Sequence, residues 1–102
     1  MKADLKQRWV DALRSGQYQQ GFGRLHKQLS NKSYFCCLGV LCEVAIKEGS
    51  ISWYPANSTH ISKDCGDLLD SDIQSTLIDM NDKYRRTFLE IADYIEKEIP
   101  SE

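Results

Sequence analysis

The run Tyr34-Phe35-Cys36-Cys37-Leu38-Gly39-Val40-Leu41-Cys42-Glu43-Val44-Ala45-Ile46 constrains the fold more than any other stretch. Glu43 is its single charge. Around a helical wheel the apolar residues leave almost no polar face, and a helix of that kind is surrounded by other elements. The run is longer than a usual strand (about 5–6 residues). Its end, Lys47-Glu48-Gly49, reads as a helix terminus. A buried central helix over about 36–47 is therefore expected, entered through a short strand at Lys32 to Phe35. Gly39, Cys42 and Ala45 form a row of small residues on it, where another backbone can approach closely or a second copy can pack.

The flanking segments supply what encloses that helix. Leu5, Trp9 and Leu13, with Val10 and Ala12 alongside, make one apolar stripe on a helix over Ala3 to Arg14, and Ser15-Gly16 ends it. Gln17 to Gln20 suits a short strand or an extended turn. Gly21-Phe22-Gly23 breaks regular structure, and Leu25 to Leu29 has the spacing of a helical turn. Between Ser50 and Cys65, Ile51/Trp53 and Thr59/Ile61 alternate around a Pro55-Ala56-Asn57-Ser58 turn, which suits a hairpin or an ordered loop. Ser71-Asp72-Ile73-Gln74 and Thr87-Phe88-Leu89-Glu90 both have the capping-box form. The first predicts a helix through Leu77, Ile78 and Met80. The second predicts one with Phe88, Ile91, Ala92 and Ile95 on one face, ending near Ile99-Pro100. Asn81 to Arg86 is then a polar link. The fold class is mainly α (α+β): three to four helices around the central one, with a small hairpin or short sheet, over residues 1–102 as a single domain.

Composition narrows the function classes. The net charge is −2 with both signs mixed, which argues against wrapping duplex DNA because no basic excess exists to displace counterions from phosphates. The apolar run is shorter than the roughly 20 residues that cross a bilayer. The charged start runs straight into a helix pattern rather than a secretory leader, so a cytoplasmic protein with four free thiols is expected.

Several residue groups could carry chemistry. Structural zinc prefers ligand pairs two to four residues apart; Cys36 and Cys37 are adjacent, Cys42 is alone and Cys65 is distant, so packed thiols are the better reading and no metal or cofactor is expected. Cys36 in the first turn of the central helix, with His26 or His60 near, could form a nucleophile, but packing explains it more simply. Gly21-Phe22-Gly23 lacks the third glycine and the preceding buried strand of a dinucleotide fingerprint. Asn81 and Asp82, near Lys83, Arg85 and Arg86, read as a capped turn or as a polar rim where Arg grips phosphate. Tyr18, Gln20, Phe22 and Arg24 mix flat rings with amide and guanidinium donors. That mixture suits stacking on a base, and equally a plain surface loop.

Three stretches taken together resemble a family of small proteins of tailed phages and prophages: Trp9 to Gln20, Phe35-Cys36-Cys37-Leu38-Gly39-Val40-Leu41-Cys42, and Met80-Asn81-Asp82 followed by Phe88 to Ile95. Lys47 to Asp70 carries none of its motifs. The family pattern has a glycine soon after Asn-Asp, where this chain has Lys83-Tyr84-Arg85-Arg86. The resemblance implies a phage origin, not an activity; small phage proteins without catalytic constellations often work by binding. The leading expectation is a non-enzymatic accessory protein that counters host defence by sequestering a small nucleotide signal, in pockets formed by a homo-oligomer. Tyr18, Gln20 and Arg24 would contact base and phosphate, with Asn81, Asp82 and Arg85 at the rim. An inhibitor or regulator of a host protein is the alternative, and a cysteine-dependent enzyme a third.

Overall fold

A computed structural model describes residues 1–101. The elements run α1 (Ala3–Arg14), β1 (Gln19–Gln20), β2 (His26–Leu29), β3 (Lys32–Phe35), α2 (Cys37–Glu48), a 3-10 turn at Lys63–Cys65, α3 (Ser71–Ile78), a π-helical turn at Asp79–Lys83, and α4 (Phe88–Glu98). The architecture is α+β, four helices with one three-stranded sheet.

The central helix is α2, enclosed as its composition requires. Cys37, Leu38, Val40, Leu41, Cys42 and Ala45 are all fully buried. Gly49 ends it at φ +89°, its N–H donating to the carbonyls of Ala45 and Ile46. On one side α1 buries its stripe of Leu5, Trp9, Val10 and Leu13, and the Trp9 indole N–H donates to the Cys37 carbonyl at 2.9 Å. Helix α4 packs against α1. Arg14 joins the two at their surface, 2.7 Å from Asp93 and 3.1 Å from Glu96.

The small-residue row is filled from within the chain. A Cβ on Gly39 would lie 1.7 Å from the Leu25 carbonyl oxygen, so the backbone just before β2 rests directly on the helix. Cys42 and Ala45 are equally inaccessible. The row is thus not a surface for a second copy.

The sheet has the order β1-β3-β2, with β1 parallel and β2 antiparallel to β3. Leu25 to Leu29 is not a helical turn but the lead-in and body of β2. Ser30 at φ +55° and Asn31 turn the chain so that Leu29 faces Lys32 and His26 faces Phe35. Pairing with β3, and the Leu25 carbonyl accepting from Cys36 N–H at 3.2 Å, overrides the local i, i+4 leucine spacing.

Residues 50–70 form an ordered loop with no strand. It covers the outer edge of β2, where Leu25 N–H donates to Ser58 and His26 N–H to Ala56. Its far end is held by Gln74, whose Oε1 accepts Ile61 N–H at 2.9 Å and whose Nε2 donates to the Leu69 carbonyl at 3.0 Å. Gln74 therefore does not close a capping box with Ser71. The cap is Asp70, whose carboxylate accepts Ile73 N–H at 3.0 Å. The second capping box forms as expected: Thr87 Oγ1 accepts Glu90 N–H at 3.2 Å and Glu90 Oε1 accepts Thr87 N–H at 3.1 Å.

Candidate functional site

Asn81 is the organising residue, and it is not in a surface link. The helical path of α3 continues through the π turn, which carries Asn81 into the interior with no exposed surface. Every hydrogen-bonding capacity of its amide is used. Its Oδ1 accepts from Gln20 Nε2 at 2.9 Å and from Cys37 N–H at 3.3 Å. Its Nδ2 donates to the Gly21 carbonyl at 2.9 Å and to Asp82 Oδ1 at 2.8 Å. Cys37 opens α2, and its N–H is one of the donors that a helix start leaves without an intrahelical partner. The N-cap residue, Cys36, makes no side-chain cap, so Asn81 caps α2 from across the fold.

That amide ties two loops together. Gln20 Nε2 also donates to the Arg86 carbonyl at 2.8 Å, and Asp82 Oδ1 accepts Gly23 N–H at 3.1 Å. The Gly21-Phe22-Gly23 turn is thereby fixed against the turn at Asp82 to Arg86. Above this layer the Arg85 guanidinium lies 4.0 Å from the centre of the Phe22 ring, and Phe22 remains 36% exposed. Arg85 sits at φ +53°, in the left-handed region that glycine enters freely. Held there, a residue with a Cβ stores roughly 1–2 kcal/mol. The Tyr84 N–H to Asp79 and Arg86 N–H to Met80 bonds close the π turn around it. Tyr84 is exposed, with Lys83 Nζ over its ring at 5.3 Å.

The six residues singled out from the sequence divide four ways. Gln20, Asn81 and Asp82 come together, but as the bonded layer beneath the surface. Arg85 stands on that surface. Arg24 is exposed nearby in sequence and forms no side-chain hydrogen bond or ion pair among the described residues. Tyr18 belongs elsewhere: its ring meets Phe35 edge-on, its hydroxyl accepts from Lys47 Nζ at 2.9 Å, and it lines a separate cavity of about 300 Å³ with Arg8, Gln17 and Val44. Phe22 and Tyr84 belong to the exposed surface although only the lone aromatic between two glycines hinted at it.

A second polar cluster was not foreseen. The Tyr54 hydroxyl donates to Glu43 Oε2 at 2.7 Å and lies 3.2 Å from His26 Nδ1. Its one proton goes to the carboxylate, so Nδ1 must carry the imidazole proton. His26 stacks on Phe35 with ring centres 4.4 Å apart, and its Nε2 is buried without a partner among the described residues. Burial, followed by the Glu43 carboxylate, pushes the Tyr54 phenol well above its usual range. This cluster explains the single charge in the apolar run: Glu43 anchors the loop over β2.

The cysteines are free and buried. Burial pushes the Cys36 thiol up to about 11, and Cys37 and Cys42 also rise for the same reason. Such thiols stay protonated at neutral pH, which works against a nucleophilic role. Among the described residues no group of three His, Cys, Asp or Glu is placed to hold a metal ion, and no helix is long and apolar enough to cross a membrane.

Fold and site together define a small α+β domain in which a buried asparagine caps the central helix and sets two loops side by side. The chain belongs to a family described as a domain of unknown function (DUF8296), whose profile matches residues 1–71. That span covers α1 through the start of α3; the Asn81 to Arg86 half of the site lies beyond it. No curated protein and no solved structure matches the chain.

Proposed function

We propose that the protein is a non-enzymatic binder of a small nucleotide signal, and that the Phe22–Arg85 surface is where the ligand docks. The observation that carries this reading is the Arg85 guanidinium held over an exposed ring from a strained backbone position. Strain of this kind persists where the surroundings over-determine it, and it gathers at binding and catalytic sites. An aromatic face offers stacking to a base, and guanidinium groups grip phosphate. Arg24 and Lys83 supply exposed cations in the same two segments, while Asp82 has one oxygen occupied by Gly23 N–H and Asn81. In this reading Gln20, Asn81 and Asp82 position the surface, Phe22, Arg24 and Arg85 contact the ligand, and Tyr18 takes no part.

The resemblance to phage proteins makes the biological role sequestration of a host defence signal in the host cytoplasm. Self-association would proceed through the exposed Phe22 and Tyr84 region, since the α2 row is occupied. Calorimetry with protein at about 100 μM against cyclic and linear nucleotides tests the reading, because even micromolar binding is worth about 8 kcal/mol. Saturable heat that Phe22→Ala and Arg85→Ala abolish supports it. No heat with any nucleotide, or heat indifferent to both substitutions, refutes it.

A second reading rests on Tyr84, just after the π turn, and Leu89, in the first turn of α4, which are 58% and 59% exposed. Side chains of that size suit a protein partner. A stoichiometric host protein retained by the tagged chain, and lost in Tyr84→Ala, favours regulation of a host protein over sequestration.

A further inference from the structure

A cleft lies away from the Phe22–Arg85 surface, at the far end of α2. It encloses about 670 Å³ and is lined by Ile46, Gly49 to Trp53, and Asp64 to Gly66. Clefts of roughly 300–1,000 Å³ are the usual size for small-molecule sites. Two of its walls are apolar side chains left in water: Ile46 is 37% exposed and Trp53 49%. Its charge has one sign. Asp64 is the single ionised side chain in the lining, and its carboxylate forms no ion pair or hydrogen bond among the described residues. The neighbouring Lys63 does not line the cleft. Glu48, just outside, is engaged by Ser50 and lies 3.9 Å from Arg8, so it does not compete for the same cation.

From this geometry we infer that the cleft binds a small organic cation, an ammonium or guanidinium group on an apolar frame. The Trp53 ring attracts a cation through its quadrupole, Asp64 supplies opposite charge, and Ile46 and Ile51 take the apolar part. An anion would meet repulsion from Asp64. This inference is independent of the nucleotide reading, because it uses none of the same residues.

Choline and its neutral isostere 3,3-dimethylbutan-1-ol are the probes, followed by tryptophan emission. Trp9 is fully buried and bonded to the Cys37 carbonyl, so the ligand-sensitive signal comes from Trp53. The expected result is a saturable change with choline, weaker by about tenfold for the neutral alcohol. Asp64→Asn, at an exposed position that does not disturb the core, should weaken choline by a comparable factor. Phe22→Ala should leave choline binding unchanged, which separates this site from the nucleotide surface. No saturable change up to about 100 mM choline, a constant near the weak end of measurable binding, overturns the inference. Equal binding of the alcohol, or an Asp64→Asn protein that binds choline normally, does so as well.

Discussion

Replacing Asn81 tests how the loops and the central helix are joined. Asn81→Ala removes an amide whose partners are Gln20 Nε2, Cys37 N–H, the Gly21 carbonyl and Asp82 Oδ1, at 2.8 to 3.3 Å. Two of these survive the loss. Gln20 keeps the Arg86 carbonyl and Asp82 keeps Gly23 N–H. The other two, Cys37 N–H and the Gly21 carbonyl, belong to buried residues and are left without a partner. An unsatisfied buried group costs about 1–3 kcal/mol, so the pair accounts for about 2–6 kcal/mol. For a domain of this size each kcal/mol lowers Tm by roughly 4–8 °C. A fall of at least ~8 °C is therefore expected in calorimetry, with faster amide exchange at Cys37. A loss below about 1 kcal/mol would mean the amide is not the fastener described. Asn81→Asp adds a sign. Its carboxylate would face the Gly21 carbonyl and Asp82, so its folded pKa is raised above the unfolded value. A proton on it restores a donor, so that stabilisation is present below the unfolded carboxyl pKa and is lost as pH rises through the raised folded one. The mutant should thus lie nearest the wild type in acid.

Three further substitutions probe separate features. Gly39→Ala should cost about 1–3 kcal/mol despite alanine's better helix propensity, because its methyl meets Leu25 backbone rather than a movable side chain; an unchanged urea midpoint would contradict that contact. Arg85→Gly should be about 1 kcal/mol more stable than Arg85→Ala, since both lose the guanidinium but only glycine relieves the φ of +53°, and equal Tm values would show no strain is stored there. Thr87→Ala should cost on the order of 1 kcal/mol. The Thr87 backbone N–H and, after it, the hydroxyl hold the Glu90 carboxyl below its ordinary range, so the stability this adds is present above that range and lost as pH falls through the lowered value; alanine keeps the backbone N–H, so the mutant should lose only the hydroxyl's smaller share of that acid dependence, and a mutant steeper in acid than the wild type would count against the box.

The helices were legible wherever one side of the pattern is unambiguous. Leu5, Trp9 and Leu13 recur at helical spacing and are buried, and the absence of a polar face on 36–47 dictated an enclosed helix. Long-range bonds hid the rest. Leu25 and Leu29 have helical spacing, but pairing with β3 decides their conformation: Leu29 faces Lys32, and the Leu25 carbonyl accepts from Cys36 N–H. Asp70 and Ser71 are both good caps, and what removes Ser71 is Gln74 being recruited by Ile61, thirteen positions away. The sequence places Gln20 among the base contacts and Asn81 and Asp82 at a rim, whereas the structure bonds the three to one another. A sequence does not reveal that a π turn buries the asparagine, so Asn81 reads as a surface residue when it lies beneath the surface. Tyr18 and Gln20 lie two residues apart and look alike in the sequence, yet only Gln20 is on β1, and Lys47 and Phe35 draw the tyrosine to another part of the molecule.

Amide chemical shifts followed during titration with the nucleotide that gives calorimetric heat would test the proposed binding surface most directly. The perturbed amides should be those of Gly21 to Arg24 and Asp82 to Arg86, two segments far apart in sequence that Asn81 holds together, and Arg85→Ala should erase the changes. Shifts centred instead on the Tyr18–Lys47 cavity or the Trp53 cleft, with Gly21 to Arg24 unmoved, would contradict the Phe22–Arg85 surface as the site of binding.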